Sequence, residues 1–367
     1  MKQVKKNVIL HIAHISNDYT SGVSTVVPQL LNWQSKTTSL RVALLNLTEY
    51  TPSNATFPVF FSNRLSNLPA PFNKPDLVVF HEIYRTRFLP FFVELKKSDV
   101  NYIITPHGSL NATAQKQHHF AKNILNIAFF NKFIRQAQVV HFLSEREMNQ
   151  SNKFATKGKR IIPNGVPMPV RLSANASQKK DIVFIGRLDI YVKGLDLLVE
   201  AAAQVADDLK KRKVAINIYG PDCKGSMQEL QSQIDKKGLS ELCKLCGPID
   251  ATSKGRVLSD ALCYIQLSRT EGFPTSIIEA LSYGLPIIVS EGTTWKDLAE
   301  AYGVGFGVSD DVGEIGKKII AIVDNLPLRQ SMAKNATEIV KKHFQWSAIA
   351  EKYENFYSEV ISHKASG

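Results

Sequence analysis

The stretch SRTEGFPTSIIEALSYGLP, residues 268–286, sets two carboxylates, Glu271 and Glu279, on either side of a helix start. Gly272 and Pro274 mark a loop, Pro274 suits the first position of a helix, and Gly284 ahead of Pro286 suits its end. Glu271 then stands just outside the N-terminus and Glu279 about a turn inside it. N–H groups and the positive dipole end at Thr275 and Ser276 attract a phosphate or a sugar oxygen. A nucleoside diphosphate lying along that terminus reaches both carboxylates. Arg187 and Lys193, in GRLDIYVKG, supply the balancing cations: a guanidinium fork and a mobile ammonium suit a diphosphate, above all a departing one. Taken alone, the two cations read as surface residues at a strand end; beside Gly186, Gly194 and the two glutamates they read as a site.

The elements that must position these groups are legible as apolar runs. NVILHIAHI, DLVVFHE, NYIITPHG, QVVHFLS, DIVFIGR, VAINIYG, ALCYIQLS and LPIIVSE alternate with helical patterns, the signature of buried parallel strands. Each half reads as a Rossmann-like doubly wound α/β domain. IIPNGVPMPVRLSANASQKK has no periodicity and reads as the linker. The expected domains are 1–170, 171–345 and a C-terminal helix, 346–367, whose stripe of Trp346, Ile349, Tyr353, Phe356, Tyr357 and Val360 would pack back onto the first domain. Ligands of open α/β sheets bind beyond the carboxyl ends of strands. The turns after those runs, at His107-Gly108, at Arg187 and Lys193, and at Glu271, are expected to share one cleft.

The 367 residues, 44% of them hydrophobic, are enough for two cores. No run approaches a membrane span, and His11, His14 and Asn17 interrupt the first apolar run, which makes a poor signal sequence. A cytoplasmic protein is expected. Residues 1–170 hold 20 Lys and Arg against 8 Asp and Glu, whereas the remainder is balanced, so the whole net charge of +12 lies in the first half. That asymmetry suits an anionic partner such as a membrane surface, and equally a solubilising surface; nucleic acid is disfavoured because no motif for it is present. Cys243 and Cys246 form a CxxC without a second ligand pair, which reads as reduced cysteines rather than a zinc site.

Glu271 and Glu279 give E-x7-E, and with GRLDIYVKG, TPHGSL, IIPNGV and FQWSAIAEKYENFY in that arrangement along the chain the sequence resembles the retaining family-4 glycosyltransferases of the two-Rossmann-domain (GT-B) fold. It is most similar to bacterial enzymes that build capsular, exopolysaccharide or O-antigen units. The resemblance implies that Arg187 and Lys193 hold the donor diphosphate and that Glu279 binds the ribose hydroxyls. It further implies that Glu271 binds the donor sugar with amides of Phe273, Thr275 and Ser276, and that His107 lies near the anomeric carbon. The donor implied is a UDP- or GDP-sugar, and the acceptor a saccharide or a polyprenyl-diphosphate-linked saccharide at the inner membrane face. Two positions depart from the family: a Gly-Gly loop after the first strand is reduced to Gly22, and Pro274 has no N–H to offer. No D-x-D occurs, so no cofactor and no metal are expected.

His81-Glu82 follows DLVVF and reads either as an acceptor-side pair or as structural; a zinc-protease reading fails because position 85 is Arg. HHFAKNILNIAFFNKFIRQ, opening at His118-His119, mixes Phe129, Phe130 and Phe133 with cations and reads as a packed helix sooner than a membrane-docking one. The rival functions on the same fold are a nonhydrolysing sugar-nucleotide epimerase and a non-catalytic binding protein.

Overall fold

The computed structural model describes residues 6–17, 22–98, 100–110, 129–151, 154, 156–169 and 180–362. Contacts divide the chain into two units, Met1–Gly165 with Trp346–Gly367, and Val166–Gln345. In the first unit β1 (Val8–Ala13), β2 (Arg41–Asn46), β3 (Val59–Phe60), β4 (Leu77–His81), β5 (Asn101–Thr105), β6 (Val139–Phe142) and β7 (Lys159–Ile161) form one sheet in the order β3-β2-β1-β4-β5-β6-β7. Every pairing is parallel. Residues of β1 and β4 are buried throughout, as the unbroken apolar runs require of strands covered on both faces. Leu10, Ile12, Val78 and Phe80 face one core, where Phe88, Phe92, Tyr102, Phe130 and Phe133 pack edge to face or stacked. Phe130 and Phe133 are thus core residues, whereas His118 and His119 lie outside the described residues.

The other face of that sheet carries Ile9, Leu77 and Val79 and is covered by the helices Gly22–Thr37 and Trp346–Ser362. The second helix buries Trp346, Ile349, Tyr353, Phe356, Tyr357 and Val360, the stripe read from the sequence. Gly165, in IIPNGV, lies directly against Trp346: a Cβ there would stand 2.6 Å from the indole ring. Two separated motifs of the sequence are therefore one packing contact. The next residue, Val166, already belongs to the second unit and donates its N–H to the carbonyl of Phe344 at 2.8 Å.

The second unit holds β8 (Ile182–Ile185), β9 (Ile216–Tyr219), β10 (Cys243–Gly247), β11 (Cys263–Gln266), β12 (Ile287–Ser290) and β13 (Gly305–Val308) in the order β10-β9-β8-β11-β12-β13, again all parallel. In each sheet the strand order reverses once, between β1 and β4 and between β8 and β11. At such a reversal the connections leave in opposite directions and open a crevice beyond the carboxyl ends. Cys243 is buried and Cys246 exposed, three residues on along the strand, so the CxxC does not present two thiols to one ion. No helix among the described residues is long and apolar enough to cross a membrane.

Gly165→Ala should destabilise the protein by about 1–3 kcal/mol, the usual cost of overpacking a filled core. A melting temperature equal to that of the unsubstituted protein would show that the indole yields without cost.

Candidate functional site

In the second unit the reversal point between β8 and β11 gathers the residues expected to handle a donor. Arg187 follows β8 and is exposed, with no ion-pair partner among the described residues. Lys193 ends a short helix, Ile190–Lys193, whose C-cap Gly194 takes φ +64°. A Cβ on Gly194 would lie 2.0 Å from the carbonyl oxygen of Leu267, so only glycine lets this turn press onto the end of β11. Arg269 locks the same contact from the other side: it donates to the Tyr191 carbonyl at 2.8 Å, forks onto both Asp196 oxygens at 2.8 Å, and stacks 4.4 Å from the Tyr191 ring centroid.

Held in this way, Lys193 Nζ meets Glu271 Oε1 at 2.6 Å, both side chains being largely buried (16% and 13% exposed). The same oxygen accepts from Gln266 Nε2 at 2.8 Å and Ser268 Oγ at 2.7 Å. All three donors converge on Oε1 and none of them on Oε2. Gln266 is itself buried, its Oε1 accepting from Tyr264 Oη at 2.8 Å and Ser276 Oγ at 2.9 Å. One amide therefore ties the strand, the carboxylate and the first turn of the following helix into a single network.

That helix spans Thr275–Ser282. Pro274, expected as its first residue, is instead the N-cap, with φ −76° and ψ 95°, and offers no capping side chain. The end is a Schellman motif: Gly284 at φ +67° donates to Leu281, and Leu285 donates to Ala280. Ile277, Ile278, Ala280 and Leu281 form the buried stripe, while Glu279 turns away from it. Lys254 Nζ, on the helix Ala251–Asp260, bridges both Glu279 oxygens at 2.8 and 2.9 Å. Phe273 packs against the core beneath, and Thr275 and Ser276 occupy the first turn, where N–H groups lack intrahelical acceptors. Sequence reasoning missed Gln266, Ser268, Arg269 and Lys254. Gln266 had a signal, a polar residue inside an apolar strand; Lys254 had none.

In the first unit, His107 follows β5 with φ +51° and Gly108 with φ +80°, two left-handed residues in succession. Glu147, fully buried, fixes that turn by accepting from the N–H of Gly108 at 2.5 Å and of Leu143 at 2.7 Å. Burial pushes its carboxyl up, and the two N–H donors pull it back. His107 Nε2 lies 3.0 Å from His81 Nδ1, and His81 Nε2 lies 2.9 Å from His11 Nδ1. His81, expected on the acceptor side, is buried with both ring nitrogens occupied, because it ends β4 between the strands that carry the other two rings. Of the two readings of His81, this burial fits the structural one. Glu82 takes φ +72° and pairs with Arg85 at 2.8 Å. Gly22 opens the helix Gly22–Thr37, and a Cβ on it would meet no atom within 4 Å.

Two parallel sheets with these strand orders make a two-Rossmann-domain protein, and the chain has the GT-B fold of glycosyltransferases. Residues 171–339 match the family described as Glycosyl transferases group 1. The structure is similar to sucrose-phosphate synthase from Thermosynechococcus elongatus, with a TM-score of 0.76 at 17% identity over 98% of this chain and 100% of that one. It is also similar to HepE of Anabaena, solved in complex with UDP and glucose, with a TM-score of 0.74 at 17% identity over 96% of this chain and 100% of that one. In sequence it is 25% identical over 205 residues to a GDP-mannose:cellobiosyl-diphosphopolyprenol alpha-mannosyltransferase of Komagataeibacter xylinus, covering 54% of this chain and 51% of that protein. The chain spans about half the length of the curated relatives it matches.

Burial holds His11 down to about 3, His141 down to about 4, and His81 well below the ordinary imidazole value of 6.5. Each is neutral in the fold and takes up a proton on unfolding below about 6.5, so their contribution is complete above that pH and is lost as pH falls toward the folded values. The slope is up to about 1.4 kcal/mol per pH unit for each histidine. Thermal melts between pH 7.5 and 5 should fall steeply below 6.5; a flat profile would contradict the neutral burial.

Proposed function

We propose that the protein is a retaining glycosyltransferase that moves a hexose from a UDP- or GDP-sugar to a saccharide or polyprenyl-diphosphate-linked saccharide, in the assembly of a bacterial surface polysaccharide. The observation that carries this reading is the carboxylate of Glu271, anchored through Oε1 by Lys193, Gln266 and Ser268 beside a helix N-terminus. An anchored oxygen fixes the carboxylate plane, and Oε2 is then placed to accept from a sugar hydroxyl. Lys193 and the exposed Arg187 face the same strand ends and suit the diphosphate, while Glu279, with Lys254 offsetting its charge, suits the ribose diol. His107 is assigned to the anomeric region.

Retention in this scheme proceeds on one face of the sugar: the bond from the anomeric carbon to the diphosphate oxygen breaks, the acceptor oxygen bonds to that carbon, and the acceptor proton passes to the departing phosphate. Such a step needs charge stabilisation at the diphosphate more than a strong base, which cations and a helix terminus supply. No metal enters the scheme, since the cations replace the D-x-D that a bridging ion would use. A cytoplasmic protein peripheral to the inner membrane face, its basic first half toward anionic lipid, completes the reading.

Acceptor-dependent release of nucleoside diphosphate should be seen with one of a panel of UDP- and GDP-sugars, chosen beforehand by thermal shift, since a specific ligand stabilises by mass action. A sugar nucleotide altered without acceptor would indicate the epimerase instead, and neither reaction a binding protein. Lys193→Ala should lower turnover by about 10²–10³-fold with the fold intact. Near-normal turnover in that variant removes the diphosphate role. Turnover should persist in EDTA, and complete loss there would refute the metal-independent scheme.

A further inference from the structure

We infer that His107, His81 and His11 form one proton-coupled row, in which the buried rings decide which tautomer His107 presents to its ligand. The proposal rests on the assignment of His107 to the donor sugar, and concerns positioning residues two strands deep to it. The rings sit on the carboxyl side of three adjacent strands: His11 lies in β1, His81 ends β4, and His107 follows β5. Nitrogen contacts of 2.9 and 3.0 Å join them in sequence, with ring centroids 5.2 Å apart at each step. His11 and His81 are 0% and 2% exposed, and no water layer separates rings at these distances.

A neutral imidazole has one donor and one acceptor nitrogen. Each contact in the row therefore fixes the next, and only two proton arrangements keep both hydrogen bonds. In one, His11 Nδ1–H donates to His81 Nε2, His81 Nδ1–H donates to His107 Nε2, and His107 turns an Nδ1–H outward. In the other every bond reverses, His107 Nδ1 is bare, and the spare proton sits on His11 Nε2. That atom is buried, and the side chain of Gln34 lies beside it and beside the Tyr357 hydroxyl. A side-chain amide offers both a donor and an acceptor and so serves either arrangement; the row is held as a unit, and His107 meets its ligand as a donor in the first arrangement and as an acceptor in the second. Exchanging one arrangement for the other takes a proton off His107 Nδ1 and puts one on His11 Nε2, so loss of the outer proton alone leaves the buried end one proton short.

The test reads ring nitrogens by NMR in the full chain with 15N-labelled histidine, without donor or acceptor, at a pH where the row is neutral. All three rings should carry the proton on the same nitrogen, Nδ1 in one arrangement or Nε2 in the other. His11→Phe, which touches His81 and not His107, should shift the His107 nitrogens toward averaged values, and His81→Phe should do the same more strongly. An unchanged His107 in folded His11→Phe, or wild-type rings protonated on opposing sides, overturns the row. If neither Phe variant folds, His107→Ala at the partly exposed end gives the reciprocal reading: His81 and His11 must shift, and unchanged rings overturn the row. The outcome is separable from the proposed activity, because coupling seen in a protein without transferase turnover leaves the row standing and removes only its use.

Discussion

A single carboxylate oxygen organises the second unit's end of the sheet. Glu271 Oε1 collects an ammonium, an amide and a hydroxyl, and each of these comes from a different piece of chain: the turn after β8, the strand β11 itself, and the loop that follows it. A parallel sheet that reverses its strand order leaves this spot without a covering connection. The polar network around Glu271 occupies it. The close approach of Gly194 to Leu267 and the fork of Arg269 on Asp196 serve the same end, bringing Lys193 to within hydrogen-bond distance of an acid far away in sequence.

The first unit builds the equivalent point around imidazoles. At its reversal point stand neutral rings, kept neutral by burial under the apolar stripe of the helix Trp346–Ser362, with Tyr353 edge-on to His141 and Tyr357 edge-on to His11. His141 is satisfied by the Ile162 carbonyl at 2.8 Å and by Thr105 Oγ1 at 3.0 Å, so it does not join the row. One sheet end is thus an ion-pair network and the other a file of imidazoles.

Strands buried on both faces announce themselves as apolar runs, which is why β1, β4, β5, β6, β8, β9, β11 and β12 were legible. RVALLN, β2, carries leucine and alanine that serve a helix equally well, and β10 (CKLCG) and β13 (GFGV) are too mixed to stand out. Glu271, Arg187 and Lys193 were legible as types at turns and Glu279 as a carboxylate about a turn into a helix, and the structure does bring Lys193 to Glu271. Their partners were not. Lys254 reaches Glu279 from another helix, which spacing along the chain does not encode, and His11 and His81 look in sequence like interruptions of strands until the register sets them side by side. Pro274 missed its position by one residue because its ψ is extended, a choice the loop makes and the residue type does not.

The first unit is discontinuous, and its closing piece, the helix Trp346–Ser362, follows the whole second unit in the chain. On the ribosome, β1 to β7 emerge long before Trp346, with the whole second unit synthesised between. That helix shares with Gly22–Thr37 the covering of the sheet face that bears His11, His81 and His141. The row of rings is therefore not a property of the amino-terminal segment at all. It is complete only with the helix Trp346–Ser362 docked over it.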